Sequence, residues 1–508
     1  MPRHLDVLLT VGLLAATVPA RVAGGQVFDA VTEMARERAD SPHVPPPVHG
    51  SGPLADLDYD TYRQIRFRPE AALWRDDDHG FSVQLFHPGF LFDSPVRVYT
   101  VDGEDPEPLS FDTAFFDYDG DAAGVEADAG EPGGFAGFRI HYPVNRPGVH
   151  DEVAAFLGAS YFRLVGRDQV YGLSSRGLAV DTVGAEEEFP AFRAFWLQRP
   201  AEGATRMEVV ALLDSPSVTG SYRFQVRVEP RVTVDVEKRL FARRTIHNLG
   251  VAPLTSMFSH GQPSTTQRDD FRPRVHDSDG LLAETHAGER IWRPLINPGT
   301  VRVTALQDHD PRGFGLVQRD RRFASYLDLE ANYHRRPSHW VAPDGDWGSG
   351  AVQLVEIPAA GETDDNIVAY WAPDEPFKAG GQRTYRYRLT PYDRVPDPQG
   401  LARVVRTRSG WAAIPGESDP PPRTHRRFIV DFRGGELGDG EELEPQLRTT
   451  SGDVDDVQIM PLPEPKAWRA SFRLRPQGET PADMQLYLHR NGERLSETWS
   501  FVWYPDER

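Results

Sequence analysis

The 508-residue chain contains no cysteine, and that absence excludes disulfides, thiolate metal sites, thiol nucleophiles and redox dithiols. Stability must come from the core alone. Basic residues are also outnumbered: 56 Lys and Arg stand against 76 Asp and Glu, a net charge of −20. That balance argues against nonspecific binding to nucleic acid or anionic membrane, because both need basic patches. A neutral carbohydrate remains compatible with it. Beyond the N-terminus there is no apolar run long enough to span a bilayer. Residues 1–24, MPRHLDVLLTVGLLAATVPARVAG, read as a secretory signal peptide. Arg3 gives a weak positive start, residues 7–20 form a short apolar segment, and Val18-Pro19-Ala20 ends on the small residue that cleavage requires. No twin-arginine pair precedes the apolar segment, so general secretion of a soluble mature protein is predicted.

Several catalytic signatures are missing too. There is no P-loop, no dinucleotide glycine fingerprint and no HExxH, and GLSSRG does not match a nucleophile elbow. HDSDG at 276–280 groups His276, Asp277 and Asp279, but lacks the third acidic position and terminal Glu of a calcium loop. No metal or other cofactor is expected. In YHRRPSHW, His334 and His339 are five apart, which suits neither face of a helix, and they read as solvated loop histidines.

What is present is β-rich. YRFQVRVEPRVTVDVEKRLF alternates Tyr222, Phe224, Val226 and Val228 with polar residues, turns at Glu229-Pro230, and alternates again through Val232, Val234 and Val236. The 45 glycines and 44 prolines are spread as turn punctuation. Only FDAVTEMARERA, near the start, suggests a helix. The pattern predicts an all-β protein whose main unit, residues 25–390, is a large multi-stranded sandwich. PYDRVPDPQG at 391–400 reads as a linker. Residues 401–508 carry short alternating strands and an Asn491-Gly492 hairpin signal, which suggests a smaller immunoglobulin-like sandwich.

Acids and aromatics carry the chemical signal. Many of the ten tryptophans lie beside polar groups, as in ERIWRPLINP, SHWVAPDGDWGSG and VAYWAP. Such a mixture fits either core packing or a groove in which sugar rings stack on aromatics and hydroxyls bond to polar rims. Cleavage of a glycosidic bond generally needs two carboxyl groups. HDSDG and GETDDN are the best acidic turns flanked by apolar sequence, and Asp277 and Asp365 within them form one candidate pair among many acids.

The ordered blocks LGASYFRLVGRDQVYGLSSRGLAVDT, EEFPAFRAFWLQRP, ALLDSPSVTGSYRF, RPRVHDSDGL, IWRPLINP, VQLVEIP, ETDDNIVAYW and LSETWSF add a resemblance. Together they resemble the periplasmic glucan biosynthesis proteins (OpgG/MdoG and OpgD/MdoD type), closer to the G branch because no twin-arginine signal is present. SHGQPSTTQ, where the family usually carries an asparagine, departs from the pattern. The resemblance implies a galactose-mutarotase-like N-terminal sandwich joined to an immunoglobulin-like domain. It implies action on β-1,2-linked glucan in the periplasm, by an anomer-inverting hydrolase or by a transglycosylase that cyclises the glucan. A non-catalytic glucan-binding scaffold is the alternative. On the matching motifs, Asp365 falls at the general acid, with like-charge neighbours and partial burial expected to hold it protonated, and Asp277 at the general base. Glu362 is a relay or positioning candidate. Tyr171, Arg176, Trp292, Arg293, Trp340, Trp347 and Trp371 are groove candidates. The inner-membrane glucan synthesis machinery and a second copy of the chain are the partners to consider.

Overall fold

The computed structural model describes residues 24–46, 54–75, 80–103, 105–125, 134–183, 186–263, 269–438 and 442–506. The signal-peptide segment therefore lies outside the described residues except for Gly24, as does part of the SHGQPSTTQ loop. No described helix is long and apolar enough to cross a membrane.

The all-β expectation holds. Two large sheets face each other, one running through Tyr161–Leu164, Ser174–Arg176, Leu249–Ser256, Ile367–Pro373 and Ser349–Glu356. The other runs through Arg206–Asp214, Val218–Arg227, Thr233–Ala242, Gln382–Tyr392 and Ser338–Asp344. Side chains alternate across each strand, so each sheet sends one set inward. Phe156, Phe162, Leu254 and Trp371 from the first meet Phe195, Phe224, Val236 and Leu389 from the second in one continuous core. The Val218–Arg227 and Thr233–Ala242 strands pair antiparallel from Val218 with Ala242 to Arg227 with Thr233. This is the hairpin that the alternation around Glu229-Pro230 predicts. The helix, Gly24–Ala39, lays Val27, Phe28, Val31 and Ala35 against Trp196, Leu212 and Phe241. Its apolar spacing of three to four residues presents a single stripe to the sheet.

The second sheet does not stop at the main body. Arg290–Pro294 pairs in parallel with Thr498–Trp503, which leads on to Ala482–Arg490 and Glu444–Thr449. A four-stranded sheet of Arg403–Trp411, Arg426–Arg433, Ala467–Arg475 and Asp453–Pro461 closes over that extension. Phe428, Phe472, Trp499 and Phe501 fill the space between them. The Asn491-Gly492 turn has both residues at positive φ, 51° and 83°, as a two-residue hairpin demands.

One polar group is buried in the main core without a countercharge in contact. Lys238 is fully enclosed, donates from Nζ to the Gly177 carbonyl at 3.0 Å, and lies over the rings of Tyr222, Tyr385 and Tyr387. Burial lowers its pKa to about 7, below the ~10.4 of a solvated lysine. Between about pH 7 and 10 the unfolded chain holds a proton that the folded chain has released, so stability rises with pH across that window. Lys238→Met is expected to abolish this rise in urea titrations at several pH values. The Gly177 carbonyl keeps its bond from the Tyr222 hydroxyl.

Candidate functional site

The two acidic turns are brought together by one buried amide. Val275–His276 pairs with Phe258–His260, and Asp277 follows directly, its backbone N–H donating to Met257. The loop after Ser349–Glu356 ends at Asn366, one residue past Asp365. The Asn366 side chain accepts from Phe258 N at 2.8 Å and donates to the Phe258 and Ile357 carbonyls at 3.1 and 3.0 Å. An asparagine can both donate and accept, and here it does both, fastening the Asp365 loop to the strand pair that carries Asp277.

Asp277 is buried and forms an ion pair with Arg336. Burial raises its pKa; Arg336 opposes this, and the charge of Asp365 adds to it. The two carboxyls thus share one electrostatic neighbourhood. Asp365 has a different setting. It makes no hydrogen bond or ion pair with the described residues, and its side chain is exposed to solvent. Its carboxyl nevertheless stands among protein atoms on most sides, and this loss of hydration raises its pKa against the fields of Arg163, Arg176 and Arg336. Solvent contact along the side chain and crowding at the carboxyl are compatible in a recess, and the crowding governs ionisation. Of the two causes expected for the shift, desolvation operates, while the expected push from the acidic run is corrected here. The other acids of the run do not supply it: Glu362 turns away to Arg272 and Tyr333, and Asp364 is exposed, so the carboxylate coupled to Asp365 is Asp277.

Glu362 Oε2 accepts from Arg272 at 2.8 Å and from the Tyr333 hydroxyl at 2.6 Å. Burial would raise its pKa, but these bonds prevail and lower it. Tyr333 in turn carries the Arg336 guanidinium 4.1 Å above its ring. A chain of contacts therefore runs from Glu362 through Tyr333 and Arg336 to Asp277.

Two further sequence candidates lie near this centre. Arg176 is buried, bonded to Glu187 at 2.6 Å and placed over the rings of Tyr161 and Phe189. Tyr171 donates to Glu152 at 2.9 Å, and both feel the charge of Arg163. The others are elsewhere. Trp347 and Trp371 belong to the main core, and Trp371 has no exposed surface. Trp340 and Trp292 pack in the core beneath the C-terminal strands, with Arg319 3.5 Å over the Trp292 ring. Arg293 has no exposed surface and is paired with Glu356. These five are corrections to the groove list, because a buried ring or guanidinium offers nothing for a sugar to touch. Of the two readings open to the tryptophans, core packing holds for all four.

The histidines also depart from expectation. His339 is not a solvated loop residue: it is fully buried on Ser338–Asp344, bonded to Ser175 and the Leu164 carbonyl, with its pKa lowered to about 4 by burial. His334 is half-buried against Phe323. His276 stacks on Phe258 and turns toward Gln318 and Asp279, away from the Asp277 ion pair. Among the described residues no group of three or more His, Asp or Glu is arranged to hold a metal.

Sequence reading missed Arg163, Arg272, Tyr333 and Arg336. Tyr333 and Arg336 lie in YHRRPSHW and Arg272 in the charged stretch before HDSDG, but no spacing marks them, and only the tertiary fold aligns them. Arg163 stands on the strand beside Arg176 and acts on both Asp277 and Asp365.

The family model described as "Periplasmic glucan biosynthesis protein, MdoG" matches residues 27–503. A protein named Glucans biosynthesis protein G from Rhodopseudomonas palustris (strain BisA53) is 43% identical, covering 98% of each chain. Proteins of the same name from Vibrio cholerae (strain N16961) and Bradyrhizobium diazoefficiens are 43% and 41% identical. They cover 94% and 98% of this chain, and 86% and 98% of their own lengths. The matched span includes both acidic turns of this chain, and matches this long at this identity show that the chain belongs to the periplasmic glucan biosynthesis protein family.

Proposed function

We propose that this protein serves glucan biosynthesis in the periplasm, acting on β-1,2-linked glucan as an anomer-inverting endo-glycoside hydrolase. The glucan and the compartment follow the family resemblance. The chemistry rests on one observation: Asp277 and Asp365 share a site yet differ in their partners. Asp277 is held by Arg336, which favours a charged base. Burial raises the pKa of both carboxyls, but Asp365 has no ion pair to offset it, which favours a proton-bearing acid there.

In this mechanism the bond between the anomeric carbon and the glycosidic oxygen breaks as Asp365 gives its proton to that oxygen. A water attacks the opposite face of the anomeric carbon and loses its proton to Asp277, directly or through a short relay. One water is consumed per bond, and the two carboxyls return to their starting states through solvent. Inverting pairs stand roughly 6.5–9.5 Å apart to admit that water, and a wider spacing calls for the relay. Glu362, through Tyr333 and Arg336, positions the base. In the same reading, residues 25–390 carry the site and residues 401–508 form the second unit, with the membrane-bound synthesis machinery and a second copy of the chain as partners.

Linear β-1,2-glucan incubated with the protein and read by mass spectrometry tests the proposal. Shorter linear chains are expected. Products lighter by one water would identify a cyclising transglycosylase instead. Bound but unaltered glucan would identify a scaffold.

The pH profile has a defined response to Arg163. Its positive charge lowers the pKa of both carboxyls. Arg163→Gln is therefore expected to move both limbs of the kcat/KM profile to higher pH. The acid limb moves because Asp277 must lose its proton, and the alkaline limb because Asp365 must keep its own. Unmoved limbs would remove Arg163 from the site's electrostatics.

A further inference from the structure

A cavity of about 610 Å³ opens between the main body and the C-terminal strands, lined by eight arginines against the three carboxylates Asp279, Asp320 and Glu464. This is a concentrated positive surface in a chain of net charge −20. It lies behind the strand pair that carries Asp277: Phe258 forms part of its wall, while Asp277 is tied away to Arg336.

Some of these arginines have structural duties. Arg274 and Arg322 pair with Asp320, and Arg406 with Asp431. Arg319 lies over Trp292 and makes a two-pronged bond to the buried Glu497, at 2.8 and 2.9 Å. Arg321 donates to the backbone carbonyls of Arg336 and Tyr392. Three others are different. Arg394, Arg403 and Arg433 line the same cavity and make no ion pair or hydrogen bond with the described residues. They come from three separate segments: the stretch before the C-terminal unit, Arg403–Trp411, and the end of Arg426–Arg433.

We propose that this cavity is a binding site for a compact multivalent oxyanion of the phosphate class, distinct from the carboxylate pair. Guanidinium groups match phosphate oxygens in two-pronged fashion, and three in no ion pair with the described residues suit a ligand bearing two or more negative charges. The volume fits a small molecule rather than a polymer. The remaining pairs, Arg319 with Glu497 above all, give a fixed floor to the cavity that the three unpaired arginines line. The crowding itself is evidence of an unmet demand for negative charge. Arg403 is half-buried beside Arg394 and Arg319, and burial with those like charges lowers its pKa to about 10, although Glu497 and Asp397 oppose the shift. A multivalent anion would relieve that repulsion. The site does not depend on the glycosidase reading.

Isothermal titration of the full mature chain with inorganic pyrophosphate and with inorganic phosphate, at ionic strength fixed with sodium chloride, is the test. Saturable 1:1 binding is expected, tighter for pyrophosphate. It should weaken at least 10-fold in the half-buried variant Arg403→Gln and in the exposed double variant Arg394→Gln/Arg433→Gln. The exposed pair guards against misfolding of the first. Succinate binding as tightly as phosphate would overturn the phosphate assignment and indicate a dicarboxylate site. Absence of saturable binding, or binding that neither variant weakens, would overturn the site.

Discussion

Asp365→Asn is expected to lower turnover of linear β-1,2-glucan by about 10²-fold or more, with the folded state unchanged. The substitution keeps the side-chain shape and removes the transferable proton. Because Asp365 makes no bond to the described residues, nothing structural is lost with its carboxyl. Its neighbour Asn366 holds the loop in place with bonds that the change does not touch. A thermal unfolding curve matching wild type, together with lost turnover, is therefore the expected combination. Wild-type turnover in the folded variant would sink the assignment of Asp365 as the acid. Retained binding of glucan by the variant would add that the carboxyl serves chemistry rather than affinity.

The largest stability effect is expected at Glu356. Its carboxylate has no exposed surface, accepts from Ile296 N at 2.8 Å, and pairs with Arg293 at 3.3 Å, which is equally buried. Two further nitrogens of Arg293, Nε and one terminal amino group, have no hydrogen-bond partner among the described residues. Glu356→Ala would leave that guanidinium charged and uncompensated in the core. Breaking a buried pair from one side typically costs about 3–5 kcal/mol. The loss would be read as a lower urea midpoint at unchanged slope. Replacing both partners, as in Glu356→Leu/Arg293→Met, is expected to recover most of it, because two apolar side chains leave no buried charge behind. The position also matters for the site. Glu356 pairs with Ile367 at the base of the loop that carries Glu362 and Asp365, so the single variant should loosen that loop and reduce activity as well. A double variant no more stable than Glu356→Ala would show that the pair is not the source of the cost.

The sheets were legible because strand alternation is local: Tyr222, Phe224 and Val226 point one way whatever lies opposite. Asn491-Gly492 was legible for the same reason, since the turn's positive φ angles are written in two residues. The tryptophans were not. Whether Trp371 faces a sugar or a second sheet depends on a partner far along the chain, and the flanking polar residues on either side of it say nothing about the pleat between them. His339 misled in the same way. Its neighbours RRPS resemble a loop, yet it sits on a central strand with both ring nitrogens engaged. The acidic run GETDDN was the most informative stretch, though for a reason the sequence could not display. Its charges do not press on Asp365; they separate, Glu362 toward Arg272 and Tyr333, while the uncharged Asn366 at the end of the run does the joining. Of the arginines around the carboxyls only Arg176 was a candidate from sequence; Arg163, Arg272 and Arg336 come from three separate segments and follow no motif. Only the fold assembles them.

The central claim is that Asp365 and Asp277 act from opposite sides of one glycosidic bond. Proton NMR of the first sugar released from linear β-1,2-glucan, recorded before mutarotation, tests it most directly. The account predicts that the new reducing end appears first as the α anomer. A β anomer appearing first would mean that configuration is retained, and would contradict an acid and a base working across an intervening water.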